Sequence, residues 1–222
     1  MTSIKLIITV GLLCLNICEI FGHGYMSNPP SRSSAWKKGF KTPINWDDNG
    51  LYCGGLTTQF SINKGKCGLC GDDYRMKTPR SNENGGKFGL GVIVATYNES
   101  QEINVTIVIS ANHLGTFEFS LCPLEDEKSI ETEECFDKYP LKLSTGEDKY
   151  TLTSKKRGLY EISLVLPEGL SCDHCTMRWH WRSANNWGTC ADKKKQAMGC
   201  GAQETFRNCA DIKIVKQASV EI

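Results

Sequence analysis

The chain lacks most of what would mark a nucleic-acid, membrane or repeat protein. Charge of one sign is missing: 26 Lys and Arg stand against 25 Asp and Glu, a formal net charge of +1 over 222 residues. Beyond Lys193-Lys194-Lys195 there is no sustained basic stretch, which excludes nucleic acid as an expected partner and favours an uncharged one. After residue 22 no apolar run is long enough to span a bilayer, so no membrane partner is expected either. Linker-like segments, low-complexity tracts, internal repeats and long helical periodicities are also missing, and only residues 31–38 read as a short helix. Histidine is scarce, with four in all: His23, His113, His174 and His180.

The strongest apolar run sits at the very start. Lys5 is followed by apolar residues 6–15, too short for a comfortable membrane span but suited to the core of a secretory signal peptide. Gly22 is small at the position before a cut and Ile20 is aliphatic two places earlier. This predicts a signal peptide over residues 1–22 and a secreted, extracellular single domain over 23–222, working as a monomer. Cleavage a few residues away, or an uncleaved anchor, are the alternatives. With the cut after Gly22, His23 becomes the N-terminal residue and offers two neutral nitrogens, its imidazole and its α-amine. A second histidine would complete a three-nitrogen site suited to copper.

Of twelve cysteines, Cys14 and Cys18 fall in the leader, leaving Cys53, Cys67, Cys70, Cys122, Cys135, Cys172, Cys175, Cys190, Cys200 and Cys209. An even set in an oxidising compartment predicts about five disulfides. The pairs Cys67-x-x-Cys70 and Cys172-x-x-Cys175 invite zinc, but secretion and their wide separation without finger-like spacing argue against it. Connectivity stays open, since ten cysteines allow on the order of a thousand pairings. Asn98-Glu99-Ser100 and Asn104-Val105-Thr106 are glycosylation sequons.

From residue 88 onward strand signals dominate. Residues 90–96 form a short β-branched run. Ile103, Val105, Ile107 and Ile109 alternate with polar or smaller neighbours, the period of a half-buried strand. Phe117, Phe119 and Leu121 repeat the pattern, as do residues 159–166 and 177–181, and Ile212 and Ile214 make a last short strand. The fold class is therefore mainly β: an antiparallel sandwich of immunoglobulin or fibronectin-III type. The first 65 residues after the leader, rich in Gly, Pro, Asn and Ser, read as a long loop region pinned by cysteines, and long ordered loops are often functional.

Among the histidines, His113 follows the strong strand ending near Ile109, where a loop at the rim of a sandwich can hold a ligand rigidly; a surface histidine is the plainer reading. His174, between Cys172 and Cys175, reads as structural, and His180 as a polar-face residue beside Arg178 and Arg182. Glu204 and Phe206 point to one side if their segment is extended. Phe206 could then cap a metal face while Glu204 hydrogen-bonds nearby, or Phe206 could simply pack in the core.

The segment His23-Gly24-Tyr25-Met26-Ser27-Asn28-Pro29-Pro30-Ser31-Arg32 resembles the mature N-terminus of the lytic polysaccharide monooxygenases, and within them the animal-type branch, auxiliary activity family fifteen. The likeness continues through Asn45-Trp46-Asp47, Tyr52-Cys53-Gly54-Gly55, Cys67-Gly68-x-Cys70-Gly71-Asp72 and Ala111-Asn112-His113-x-Gly115-x-Phe117. It then runs through Arg178-Trp179-x-Trp181, Asn185-Asn186-x-x-Gly188, Gly199-Cys200-Gly201 and the stretch from Phe206 to Asp211.

The resemblance implies a copper brace in which His23 gives its amine and Nδ1 and His113 its Nε2. Phe206 takes an axial aromatic position where many relatives carry tyrosine. Ala111 is the small residue limiting one axial side, and Glu204 a hydrogen-bonding group behind the ligands. It further implies oxidative cleavage of an insoluble β-1,4-linked polysaccharide, chitin first and cellulose second, with an external electron donor and hydrogen peroxide or dioxygen. No carboxylate pair is needed, unlike glycoside hydrolysis. Trp46, Asp47, Asp48, Asn49 and Tyr52 are the candidates for a substrate-docking surface, with an inward-packed Trp46 as the alternative. A non-catalytic chitin-binding module and an extracellular copper carrier or structural disulfide-rich protein are the rival readings.

Overall fold

The computed structural model describes residues 23–126 and 128–216. The signal peptide expected over residues 1–22 lies outside the described residues. Among the described residues, eleven strands occur in the order β1 (His23–Asn28), β2 (Ala95–Asn98), β3 (Glu102–Ala111), β4 (Gly115–Pro123), β5 (Pro140–Leu143), β6 (Tyr150–Leu152), β7 (Gly158–Val165), β8 (Cys172–Arg182), β9 (Trp187–Thr189), β10 (Gln196–Met198) and β11 (Thr205–Val215). An α-helix, α1, spans Glu133–Lys138.

Alternation in β3 does what the sequence implies. Ile103, Val105, Ile107 and Ile109 turn inward while Glu102 and Asn104 stay out, because successive side chains of a strand face opposite ways. Strands β1, β3, β7 and β5 form one layer; β4, β8, β11 and β2 follow in the other. β5 pairs with β7 on one side and β4 on the other, so a single sheet curls over on itself into a sandwich. Between the layers lie the inward residues of β3 and β7 with Phe117, Phe119, Leu121, Met177, Trp179, Trp181, Phe206 and Ile212. Phe117 stands edge-on to both Trp179 and Trp181, at centroid distances of 5.3 and 5.7 Å. Such pairs add to the burial of large apolar surface that drives the collapse.

Three expectations need correction. Only the end of the 90–96 run becomes a strand. Gly91, at φ 67°, breaks the extended path, and Val94 donates to the Asp211 carbonyl before regular pairing begins. That strand, β2, then pairs with β11 in parallel, so the sandwich is not wholly antiparallel. A parallel neighbour needs a long connection rather than a hairpin, and β2, ending at Asn98, lies far before β11, which begins at Thr205. The short helix over 31–38 shrinks to one 3₁₀ turn, Ala35–Lys38, closed by Gly39 in the left-handed region. Helix α1 was not anticipated; its signal is Thr132, whose hydroxyl accepts from the Cys135 amide at 3.1 Å, ahead of Glu133 and Glu134.

Among the described residues five disulfides form: Cys53–Cys67, Cys70–Cys209, Cys122–Cys135, Cys172–Cys175 and Cys190–Cys200. Cys70–Cys209 ties the early loop region to β11. Beside it Arg32, almost fully buried, reaches Asp211 at 2.5 Å and Glu131 at 2.6 Å and donates to the Asn82 carbonyl at 2.9 Å. His174 is structural, as expected: its Nε2 lies 2.7 Å from Asp211.

Burial alone would raise the Asp211 carboxyl, but the Arg32 charge and the hydrogen bonds from His174 and Arg32 hold it down at about 2. A carboxyl depressed in the folded state contributes its stability above the unfolded value, about 4, and loses it as pH falls toward the folded value. The stability read from urea unfolding should therefore fall by on the order of 2 kcal/mol from about pH 4 to pH 2 on account of Asp211. A flat stability profile across that window would exclude this role for the cluster.

Candidate metal centre

His23 opens β1 and lies in register opposite Ala111 at the end of β3. The Ser110 hydroxyl donates to the His23 carbonyl at 3.2 Å, and the Gly24 amide donates to the Asn49 carbonyl at 3.2 Å. Gly24 is required for this closeness. A Cβ there would meet Ile109 Cδ1 at 2.6 Å and the Val108 carbonyl at 2.9 Å, forcing β1 off β3.

Two residues past Ala111, His113 sits in the tight link between β3 and β4. Asn112 fastens that link: its Nδ2 donates to the Lys156 carbonyl at 2.7 Å and to Tyr160 Oη at 2.8 Å, while its Oδ1 accepts from the Leu114 amide at 2.8 Å. Leu114 and Gly115 turn through positive φ, 58° and 95°. At Gly115 a Cβ would stand 2.0 Å from the Arg182 carbonyl, so only glycine fits. From below, Trp181 Nε1 donates to the Leu114 carbonyl at 2.8 Å. The loop therefore presents His113 from a fixed base.

Glu204 stands at the entry to β11, and its Oε2 lies 2.8 Å from His113 Nδ1. The Asn185 amide approaches the same nitrogen at 2.8 Å and the Glu204 carboxylate at 3.4 Å. Nδ1 thus faces an acceptor, Glu204 Oε2, and a donor, Asn185 Nδ2; with its proton given to the carboxylate, Nε2 keeps the lone pair a metal needs. Asp47 lies within electrostatic reach of His23. Burial pushes its carboxyl up, His23 pulls it back down, and Asp48 raises it further.

Among the described residues no three side chains of His, Cys, Asp or Glu converge as a metal-holding group. A metal at this place would rest on two imidazoles, and the donor count rises to three nitrogens once His23 carries a free amine. Nitrogen donors of that kind suit a copper ion, and the residues present fit it.

Phe206 is fully buried and stacks on Trp181 at 4.7 Å, with Tyr52 at 6.0 Å on another side. Trp181 in turn lies 6.5 Å from the His113 ring, so Phe206 packs in the core with one ring between it and His113. Tyr52, His113, Asn185, Asn186 and Glu204 share the wall of one shallow cleft.

The proposed docking surface divides. Trp46 is 83% exposed, set edge-on to Trp36 at 5.4 Å, and Asp47 is exposed beside it. Asn49 and Tyr52 are half-buried. Asp48 is a correction: it is buried, and its carboxylate is paired with Lys37 at 2.5 Å, so it supports the loop from within. His180 lies among polar partners elsewhere: its Nδ1 accepts from Arg207 Nε at 3.1 Å. Burial first, and then the Arg207 and Arg178 charges, hold that imidazole neutral well below its usual pKa. The sequons at Asn98 and Asn104 both lie exposed.

Nothing in the sequence alone gives Asn112 or Asn185 a role. Both stand inside recognisable motifs, but only the folded loop shows one fastening the turn and the other touching the imidazole.

Residues 23–212 match the family model described as "Lytic polysaccharide mono-oxygenase, cellulose-degrading". Among solved structures, the chain is similar to the auxiliary activity family fifteen lytic polysaccharide monooxygenase from Thermobia domestica in the Cu(I) state. The identity is 45%, over 88% of this chain and all of that one, with a TM-score of 0.85. A second structure, LPMO10B from Micromonospora aurantiaca, aligns at 11% identity over 86% of this chain and 99% of its own, with a TM-score of 0.43. A search of the curated proteins finds no match.

Proposed function

This chain belongs to the lytic polysaccharide monooxygenases, and we propose that it oxidises chitin at a single copper ion held by His23 and His113. It is a copper-dependent oxidoreductase of polysaccharide, using one copper ion, an external electron donor and dioxygen or hydrogen peroxide. One observation carries the site: β1 lays His23 opposite Ala111, two residues before His113, whose Nδ1 is taken by Glu204.

Bound copper supplies one-electron redox chemistry and an oxidant able to take hydrogen from a sugar carbon. The protein's part is positional. Glu204 accepts from Nδ1 and so fixes the His113 tautomer and strengthens Nε2 as a donor. Ala111 keeps the space beside His23 small. Phe206 gives the underside an apolar ring with no phenol proton to lose. Trp46, Asp47, Asn49 and Tyr52 form a docking face for rings that cannot enter a closed pocket.

The family match begins at His23, which supports removal of residues 1–22 and a secreted single domain over 23–222. We take that domain to act extracellularly as a monomer glycosylated at Asn98 and Asn104. Cellulose is the second substrate reading, favoured by the family description.

The test is to incubate copper-loaded protein beginning at His23 with β-chitin and with cellulose, each with ascorbate, and to read the products by mass spectrometry. Oxidised chitooligosaccharides are expected. Oxidised products from cellulose alone would overturn the choice of chitin, and none from either would overturn the enzymatic reading.

A further inference from the structure

The outer face of the layer formed by β1, β3 and β7 carries a cleft that the metal site does not use, with a glycosylation sequon at its end. Along β3 the outward row is Asn104, Thr106, Val108 and Ser110, alternating with the buried Val105, Ile107 and Ile109. Register fixes the neighbours of that row. On β7, Ser163, Glu161 and Leu159 lie opposite Asn104, Thr106 and Val108. On β1, Asn28 and Tyr25 lie opposite Thr106 and Val108. Thr106 and Val108 are half-buried between these two walls, whereas Asn104 is exposed. The cleft has a volume of about 410 Å³, and Lys37 and Lys38 belong to its wall, with Lys37 Nζ 4.6 Å from the centre of the Tyr25 ring.

Leu159 leaves 68% of its surface to water beside Val108. One exposed leucine needs no explanation, but this one walls a preformed cleft with a half-buried valine in its floor. Asn104 is tied to the same cleft. Asn28 Nδ2 donates to the Asn104 carbonyl at 2.9 Å, and Ser163 Oγ donates to Asn104 Oδ1 at 2.8 Å. Glycosylation acts on the other side-chain atom: Nδ2 gives up a proton and bonds C1 of an N-acetylglucosamine, which leaves its lipid-linked pyrophosphate donor. Oδ1 is untouched, so the Ser163 bond survives the modification and orients the linkage.

We propose that the glycan on Asn104 folds back along β3 and that its first N-acetylglucosamine units seat in this cleft, over Val108 and Leu159. The inference rests on the glycosylation reading above. Distance permits it: along an antiparallel strand two residues rise about 7 Å and four about 14 Å, which puts Thr106 and Val108 within reach of the first sugars. The C–H face of the sugar is apolar and removes Leu159 from water, while its hydroxyl and acetamido groups meet the Thr106 hydroxyl and the Glu161 carboxylate. The tether lets a weak contact suffice. At the millimolar effective concentration of a short linker, a contact of millimolar strength is made about half the time. Asn98 ends β2, which pairs with β11, and so stands outside this row.

The experiment secretes the full-length chain from animal cells and compares wild type with Asn104→Gln, Asn98→Gln and Leu159→Ser. Each native protein is treated briefly with an amine-acetylating reagent, and both lysine acetylation and sequon occupancy are read by mass spectrometry. Lys37 and Lys38 are expected to react about twofold more slowly, or slower still, in the wild type than in Asn104→Gln, scaled to the exposed Lys142. Asn98→Gln should leave their rates at the wild-type value. Leu159→Ser retains the sequon and should carry the glycan yet react at the faster rate. Equal rates in Asn104→Gln and in a wild type with Asn104 occupied would overturn the seat and leave the glycosylation reading intact. Undiminished protection in Leu159→Ser would overturn the seat too, since a glycan shielding by bulk alone does not need the leucine. A wild type whose Asn104 carries no sugar would overturn both.

Discussion

Leaving one residue in front of His23 is expected to weaken copper binding by about a hundredfold or more and to abolish oxidised products. The reason is chemical. The nitrogen of His23 is a neutral amine, with a lone pair to give, only when nothing precedes it; behind Gly22 it is a peptide nitrogen whose lone pair belongs to the amide. Loss of groups that merely orient a ligand costs about 10 to 100-fold in affinity, so loss of a ligand should reach at least the upper end of that range. The check is isothermal titration of Cu(II) into two proteins differing only in a retained Gly22. The rest of the fold should be indifferent to the change, because β1 is fixed by its pairing to β3 and by the Gly24–Asn49 hydrogen bond. Equal affinities would remove the amine from the site.

His113→Ala should do comparable damage from the other side of the site, again about a hundredfold in copper affinity, with loss of oxidised products. Its metal-free melting temperature should stay close to wild type. The link carrying His113 is held by Asn112 and by the Trp181 bond to the Leu114 carbonyl, and not by the imidazole. Glu204→Gln completes the comparison. It keeps a hydrogen-bond acceptor near Nδ1 but removes the charge that fixes the tautomer, so a loss of about tenfold is expected. A His113→Ala variant that binds copper as the wild type does would sink the assignment; one that unfolds would show that the link depends on the ring.

The parts of this protein that could be read from its sequence are those with a local signature. Ile103 to Ile109 declare a strand by alternation, and β3 is that strand. His23 stands out because a leader-like segment ends beside it, whereas His113, a plain surface histidine by its place after that strand, is singled out only by the family resemblance. Glu204 was placed near the ligands from strand geometry alone, and it stands 2.8 Å from His113. What stayed hidden depends on partners distant in sequence or on very short elements. Whether Asp48 faces solvent is decided by Lys37, reaching across the loop to take its carboxylate inward. Residue type alone leaves Phe206 open between core and metal face; its packing on Trp181 puts it in the core, one ring away from His113. Strand β2 is four residues long and joins β11 in parallel, a pairing that no local pattern announces. Trp187 lies in a strand of three residues, too short to show any period.

Electron paramagnetic resonance of the Cu(II) protein that begins at His23 tests the central claim most directly. Hyperfine coupling to three nitrogens is expected: the amine and imidazole of His23 and the imidazole of His113. Retention of Gly22 should alter that pattern and lower the count. A spectrum with no coupled nitrogen, or one identical with and without Gly22, would contradict the account.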